Sequence, residues 1–175
     1  MAELNRIIAI NGEVNEQSSL MVILELLNLN AESKTKPIHL YINSEGGSII
    51  HGLAIYDVIK HIEAPVYTVC CGIAASMGAF LLTCGKQGYR CALPHSRILI
   101  HQPLIYSHSA SLSTQSKLEK MSKRLTDMRS KLEEIMANNI GKPIDTIHSD
   151  CERDNWMNAK EALYYGIIDK IIEAQ

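Results

Sequence analysis

The sequence predicts an α/β domain built on a mostly parallel sheet. Short apolar runs rich in β-branched residues alternate with segments whose apolar residues recur at helical spacing. Strands that alternate with helices in this way are typical of parallel sheets. The 175 residues contain no internal repeat, low-complexity tract or linker, so we expect a single domain, residues 1–175, with a core of its own.

The first half of the chain predicts three strand–helix pairs. In chain order they are strand 6–10 with helix 17–29, strand 37–43 with helix 48–63, and strand 65–71 with helix 75–84. The first helix begins near Ser18 or Ser19. Its apolar residues at helical spacing are Leu20, Ile23, Leu24 and Leu27.

The second half predicts two more strands, then mostly helix. The expected segments are strands 89–93 and 97–100, a long helix over about 111–139, a short helix 143–150, a polar turn 150–156, a last helix and a strand 167–172. Asn158 and Glu161 form a capping box that opens the last helix, and Gly166 ends it. The long helix carries a heptad-like apolar stripe formed by Leu118, Met121, Leu125, Met128, Leu132 and Ile135. Such a stripe packs either on the chain's own core or on another chain.

Composition excludes several classes of protein. Lys and Arg number 17 against 19 Asp and Glu, with no basic stripe, so we expect neither nucleic-acid nor membrane-surface binding. Five cysteines without a C-x-x-C pair, and no signal-peptide pattern, indicate reduced thiols in a cytoplasmic protein. The uncharged stretch 64–85 is long enough to span a bilayer, but Pro65 and its glycines favour a buried strand followed by a buried helix.

Ser76 is the main candidate for a nucleophile. It follows the apolar run 66–71, precedes the helical run 77–84, and is flanked by glycine and alanine. A substrate can approach a serine at such a strand-to-helix turn closely, and the N–H groups that open the helix can face an oxyanion. Ser76 therefore predicts nucleophilic catalysis if the chain also supplies a base and a second oxyanion donor.

Gly46 and Gly47 follow the predicted strand 37–43 and precede a helix. Glycines there allow positive φ and close approach of a substrate, so their N–H groups could serve as oxyanion donors or pair with an extended peptide. A tight turn without chemistry is the alternative. The chain has no phosphate-loop motif.

His101 is the most distinctive of the seven histidines. It ends the apolar run 98–100 and precedes Gln102-Pro103, a position suited to a general base beside a cleft. No histidine or carboxylate spacing indicates a metal site. The orienting acid stays open at this point, since the candidates are Asp154, Asp150 and Asp145.

Several short motifs occur in a fixed order along the chain. They are Tyr41-Ile42-Asn43-Ser44-x-Gly46-Gly47-Ser48, Ala74-Ala75-Ser76-Met77-Gly78-Ala79-Phe80, Ile98-Leu99-Ile100-His101-Gln102-Pro103, Glu152-Arg153-Asp154-Asn155 and Glu161-Ala162-x-x-Tyr165-Gly166. This ordered set resembles the proteolytic subunit of the Clp protease, the ClpP family, from about Arg6 to the C-terminus.

The resemblance implies a crotonase-like α/β spiral of β-β-α units with a long protruding handle helix at about 111–139. It implies that Ser76 attacks a peptide carbonyl, that His101 transfers the proton, and that Asp154 orients the imidazole. The backbone N–H groups of Gly47 and Met77 would form the oxyanion hole. The expected function is a serine endopeptidase that cleaves peptides and unfolded proteins. This chain would need no cofactor, because ATP is used by a partner.

The resemblance also implies partners. These are further copies of the chain in two stacked seven-membered rings joined through the handle helices and Arg153, and an AAA+ Clp ATPase. The expected ATPase groove falls on His39, Tyr41, His61, Val69, Cys71, Cys91, Leu93 and Ile172. Because several aromatic residues of that groove are His or Cys here, we expect weak docking, and a second ClpP type becomes an expected partner.

The chain departs from the family pattern at several positions. Glu45 replaces the usual Pro before the glycines, His51 replaces Ala, and Ile105-Tyr106 replaces Gly-Gly. The N-terminal segment that forms the family's axial pore loop is not expected. Two alternative functions remain: a catalytically silent subunit of a mixed ring, and a crotonase-fold acyl-CoA enzyme.

Overall fold

The computed structural model describes residues 4–102 and 115–173 and has an α/β fold with a mostly parallel sheet, as the sequence predicts. The strands are β1 (Ile7–Asn11), β2 (Ile38–Ser44), β3 (Val66–Ala75), β4 (Arg90–Ala92), β5 (Arg97–Ile100), β6 (Asn155–Asn158) and β7 (Lys170–Ile171). The helices are α1 (Glu16–Glu32), α2 (Ile49–His61), α3 (Met77–Thr83), α4 (Gln115–Ile140), α5 (Ile144–Asp150) and α6 (Ala159–Tyr165).

Strand β3 is central to the sheet, because β4 and β5 pair with successive parts of it. The parallel order is β1-β2-β3-β4-β7. β4 pairs with residues 68–70 of β3, whereas β5 pairs with its last three residues, 73–75. Between these two pairings Gly72 has a φ of 96°, and the Ile73 N–H turns to the Asn43 side chain, 3.2 Å away. β5 and the antiparallel β6 therefore branch from the sheet where β3 ends.

The uncharged stretch 64–85 forms β3 and α3, the strand and helix that its composition favours. Every residue of α3 is buried, which explains why the helix carries no charge. No helix in the described part of the chain is both long and apolar enough to cross a membrane.

The helical spacing that predicted α1 does not mark its buried face. Leu20, Leu24 and Leu27 are 56, 51 and 41% exposed, while Val22, Leu26 and Leu29 pack in the core. The helix is apolar on more than one side, so the spacing of Leu20, Ile23, Leu24 and Leu27 indicated a helix without identifying its buried face. Its N-cap is Asn15, and Ser18 completes a capping box from the third helical position.

One prediction for the second half of the chain is wrong. Residues 155–158, taken as part of a polar turn and a helix cap, form β6, which pairs with β5. The predicted capping box is present, because the Asn158 side chain accepts from the Lys160 and Glu161 N–H groups. Gly166 ends α6 in the left-handed conformation, with a φ of 97°.

The long helix α4 is the segment predicted as the handle. Its last turns are buried through Leu132, Ile135 and Met136, whereas Met121 near its start is exposed. The stripe therefore contributes to the chain's own core in the second half of the helix. Residues 111–114 of the prediction lie outside the described residues, and a contact between rings stays a prediction.

Candidate active site

Ser76 lies in the turn between β3 and α3 in a strained backbone conformation. Its φ of 54° and ψ of −118° make it the one residue other than glycine with a positive φ in the described ranges. Such a conformation costs about 1–3 kcal/mol, so the surroundings must impose it. The Ser76 N–H donates to the Leu99 carbonyl at 2.9 Å, and the Ser76 carbonyl accepts from the Phe80 N–H at 3.0 Å.

Gly46 leaves the space that this turn requires. A Cβ on Gly46 would lie 2.7 Å from the Ser76 Cβ and 2.8 Å from the Ala75 carbonyl oxygen. The glycine also has a φ of 102°, which disfavours any other residue. The Gly46-Gly47 turn and the serine turn are thus in direct contact, although 30 residues separate them in the chain.

His101 reaches the same place through strand pairing. The parallel register pairs Ala75 with Leu99, so the residues that follow β3 and β5 leave the sheet at the same edge. Ser76 and His101 both line one cavity of about 370 Å³. Of the other histidines, His108 lies outside the described residues and the remaining five do not line this cavity.

Asp154 is the carboxylate that contacts His101. The antiparallel register pairs Ile100 with Asn155, and the next position outward places Asp154 beside His101. The distance from Asp154 Oδ1 to His101 Nδ1 is 3.5 Å, and the Asp154 side chain is 67% exposed. Asp150, the second candidate, instead accepts a hydrogen bond from the Tyr165 hydroxyl at 2.7 Å. Asp145 is exposed in the first turn of α5.

Gly47 and Met77 line the cavity together with Ser76. Gly47 forms a parallel bridge with Val14, in which Val14 N–H donates to the Gly46 carbonyl at 2.7 Å and Ser48 N–H donates to the Val14 carbonyl at 2.8 Å. This bridge leaves the Gly47 N–H unused. Met77 is the first residue of α3, where an N–H has no partner within its helix. Two backbone donors are therefore available beside the serine.

The cavity wall has an apolar part and a charged part. The apolar residues are Ile49, Met77, Phe80, Leu132 and Met136. The charged residues are Glu13, Glu45, Arg129 and Glu133. The apolar part can receive an apolar side chain, while the two exposed carboxylates, Glu13 and Glu45, give one rim a negative charge.

Cys151 is a second residue with a nucleophilic side chain that lines the same cavity, so the protonation state of its thiol decides whether it can react. Burial raises the pKa of this thiol to about 11, and the Glu133 carboxylate contributes in the same direction. The thiolate is the reactive form of cysteine, so Cys151 is protonated and unreactive at neutral pH. All five cysteines are free thiols.

The sequence did not reveal a hydrogen-bonded cluster beside the cavity. Arg129 and Glu133, which line the cavity, and His148 behind them are joined by hydrogen bonds, and Arg129 also contacts Gln102, the residue after His101. The i,i+4 spacing of Arg129 and Glu133 was the available signal, but it predicts only a helical ion pair. In the described ranges no group of three or more His, Cys, Asp or Glu side chains has the geometry of a metal site.

The positions predicted for the ATPase groove lie mainly on the sheet face opposite the core. The registers place Tyr41, Val69 and Cys91 side by side across β2, β3 and β4. Next to them the ring of His39 meets Tyr67 edge-on at 5.3 Å, and Tyr67 stacks on Tyr89 at 4.1 Å. Tyr67 and Tyr89 were both absent from the predicted set, and they add two aromatic side chains to this face.

Comparison with known protein families gives one match for the whole chain. The family model described as Clp protease matches residues 1–175. The match includes the serine turn, the glycine turn and the segments that bring His101 and Asp154 together.

Proposed function

The chain belongs to the Clp protease family, and we propose that it is a serine endopeptidase in which Ser76, His101 and Asp154 act as the catalytic triad. The observation that carries the proposal is that Ser76 and His101 line one cavity while Asp154 contacts Nδ1 of the imidazole. This arrangement supports the proposal, because a triad needs its nucleophile and general base in one cleft and its acid at the other nitrogen of the imidazole.

In this proposal Ser76 Oγ attacks the scissile carbonyl and His101 Nε2 accepts its proton. Asp154 faces His101 Nδ1, so it favours the tautomer with Nε2 free and stabilises the imidazolium that forms. His101 then protonates the leaving amine, and an acyl group remains on Ser76. Water, deprotonated by His101, releases the acyl group and restores the serine.

The N–H groups of Gly47 and Met77 would donate to the oxyanion of the tetrahedral intermediate. Both residues line the cavity and neither N–H is used by the turn or helix that holds it. Removing one such donor typically costs about 3–4 kcal/mol of transition-state stabilisation. The apolar wall beside Ser76 would hold the side chain that precedes the scissile bond.

We further propose, from family membership, that copies of the chain stack in two seven-membered rings in the cytoplasm and receive unfolded protein from an AAA+ Clp ATPase. Support comes from the exposed residues 119–124 of α4, and from the partly exposed sheet face around Tyr67 and Tyr89. The His and Cys side chains on that face would make docking weak and favour a mixed ring with a second ClpP type. Tight capture of a Clp ATPase by this chain alone would contradict weak docking and the need for a second ClpP type.

A catalytically silent subunit of a mixed ring is the second candidate. The observation that favours it is the exposure of Asp154 and its distance of 3.5 Å from His101. Catalytic hydrogen bonds are often long in the absence of substrate, so this geometry alone does not exclude activity.

Labelling with a serine-reactive β-lactone separates the two candidates. The purified chain and its Ser76→Ala and Asp154→Asn variants are incubated with the probe, and the adduct is measured by intact mass. Labelling of the wild type that is lost in Ser76→Ala and slowed in Asp154→Asn supports the peptidase. An assembled ring that takes no label, its size checked by light scattering, supports the silent subunit.

A further inference from the structure

A buried carboxylate in α4 anchors a group of polar contacts next to the candidate active site. Glu133 is 6% exposed, and each of its carboxylate oxygens has a partner. Oε1 accepts from Arg129 Nε at 2.6 Å, and Oε2 lies 2.9 Å from His148 Nδ1 on α5. A buried charge costs several kcal/mol unless it is paired, so these contacts fix the guanidinium of Arg129.

Arg129 uses its other nitrogens to reach two further segments. Nη1 donates to Gln102 Oε1 at 3.0 Å, and Nη2 donates to the His148 carbonyl at 3.4 Å. The planar guanidinium therefore connects α4, α5 and the segment that follows β5. Arginine suits such a role because its donors are held in a rigid plane.

Gln102 is in turn attached to the segment that leads to Asp154. Its N–H donates to the Cys151 carbonyl at 2.6 Å, and its Nε2 donates to the Glu152 carbonyl at 3.2 Å. Gln102 directly follows His101, and Glu152 is two residues before Asp154. The amide therefore restrains the relative position of the general base and the orienting acid.

This restraint matters because the direct contact between base and acid is weak. Asp154 is largely exposed and 3.5 Å from His101, and exposed ionic contacts contribute about 0–1 kcal/mol. The orientation of the His101 ring must then come mainly from the backbone around it. Arg129, Glu133 and Gln102 are the groups that hold this backbone against α4.

We propose that Arg129 is a positioning residue, which acts through Gln102 to hold His101 against Asp154. The inference rests on the proposed function, and Arg129 itself contacts no reacting atom.

The test uses variants that keep Glu133 paired. Gln102 is exposed, so Gln102→Met removes both of its side-chain contacts at little risk to folding. Gln102→Glu keeps an acceptor for Arg129 but loses the Nε2 donor to the Glu152 carbonyl. Arg129→Lys keeps the charge beside Glu133 but loses the planar fork. The matched controls are Gln87→Met and Arg124→Lys, exposed positions that do not line the cavity.

With a fluorogenic peptide we expect Gln102→Met and Arg129→Lys to lower kcat about tenfold with KM unchanged, because small displacements of a catalytic group are costly. The double variant should lose no more kcat than the more impaired of the two single variants. Gln102→Glu should recover only the part of the loss that comes from the contact with Arg129, because it lacks the donor to the Glu152 carbonyl. A second readout is the Cε1–H signal of His101 in the NMR spectrum, which both single variants should move in the same direction while the controls leave it in place.

The inference and the proposed function fail in distinguishable ways. Unchanged kcat and an unmoved His101 signal in both variants overturn the positioning role. Additive losses in the double variant overturn it as well. If the wild type cleaves no peptide yet both variants move the His101 signal, the positional coupling stands and the proposed function fails.

Discussion

Asp154 lies beside His101 because of the register between β5 and β6. The antiparallel pairs run from Arg97 with Asn158 to Ile100 with Asn155, and His101 with Asp154 is the next pair in that series. The contact therefore joins residues 53 positions apart through a strand of four residues. A change in the β5–β6 register would separate them, so strand pairing determines which of three nearby carboxylates can serve the histidine.

Asp154→Asn should slow peptide cleavage by a factor between about 10 and 10³, less than the roughly 10⁴ typical of a buried orienting acid. The reason is that Asp154 is exposed and 3.5 Å from the imidazole, so less stabilisation is lost with its charge. The measurement is kcat/KM on a fluorogenic peptide. The control is Asp145→Asn, an exposed carboxylate on α5, and equal losses in the two variants would contradict the assignment.

Gly46→Ala should reduce activity far more than the same substitution at another glycine of positive φ. The added methyl group would meet the Ser76 Cβ and the Ala75 carbonyl, and so displace Ser76, the proposed nucleophile. Gly141→Ala is the matched control, because Gly141 also has a positive φ, 78°, and nothing within 4 Å of the added Cβ. Both variants should lose about 1 kcal/mol of stability from the left-handed conformation. A Gly46→Ala enzyme with normal kcat would contradict the contact.

Ser76→Gly and Ser76→Ala should both abolish turnover, but they should differ in stability. The φ of 54° at this position strains alanine as it strains serine, whereas glycine adopts it freely. Relief of about 1–3 kcal/mol of strain exceeds the extra backbone entropy of glycine, about 0.5–1 kcal/mol. Thermal unfolding should therefore show a higher Tm for Ser76→Gly. Equal Tm values would mean that the turn is not strained.

Local patterns predicted most elements, because periodicity and caps act over a few residues. Asn158 with Glu161 and the glycine after α6 placed that helix correctly. β6 was missed because four residues, Asn-Trp-Met-Asn, show no apolar alternation and become a strand only through pairing with β5. The buried face of α1 could not be identified for a related reason, since tertiary packing alone selects among its apolar sides.

In the candidate site, too, local patterns identified some residues, while others depended on long-range contacts. Ser76 and His101 could be identified because each directly follows a recognisable strand. Asp154 could not be separated from Asp150 and Asp145, since the choice depends on the register of a strand that the sequence did not reveal. The contact from Arg129 to Gln102 was invisible for a similar reason, because it links residues 27 positions apart in sequence.

Glu45→Gln should increase the cleavage of peptides with acidic residues next to the scissile bond relative to neutral ones. Glu45 and Glu13 are exposed carboxylates on the rim of the Ser76 cavity, and like charges repel by about 1 kcal/mol at 4 Å in water. We expect a change of about two- to fivefold in the ratio of kcat/KM values, reduced at high salt. Glu25→Gln, exposed on α1, should leave the ratio unchanged. A salt-independent effect would contradict the electrostatic explanation.

Asp169→Asn should destabilise the fold without touching the candidate site. Arg90 is 4% exposed, and its Nη2 lies 2.6 Å from Asp169 Oδ1 while Nε donates to Oδ2 at 2.9 Å. Removing one partner of a buried pair costs about 3–5 kcal/mol, which for a chain of this size lowers Tm by about 10 °C. Asp57→Asn, an exposed carboxylate on α2, is the control and should leave Tm unchanged.

The pH dependence of the Tm loss in Asp169→Asn follows from the pKa of Asp169. Burial alone would raise this pKa, but hydrogen bonds from the Arg90 side chain and from the Arg90 and Gly88 N–H groups outweigh it and hold the pKa below its ordinary value of 3.8. A carboxyl whose pKa is lower in the folded state stabilises the fold above the unfolded pKa and loses this contribution as pH falls through the folded pKa. The difference in Tm between wild type and Asp169→Asn should therefore be constant from pH 7 to about 5 and shrink below about 4. A difference that grows as the solution is acidified would contradict the ion pair as its source.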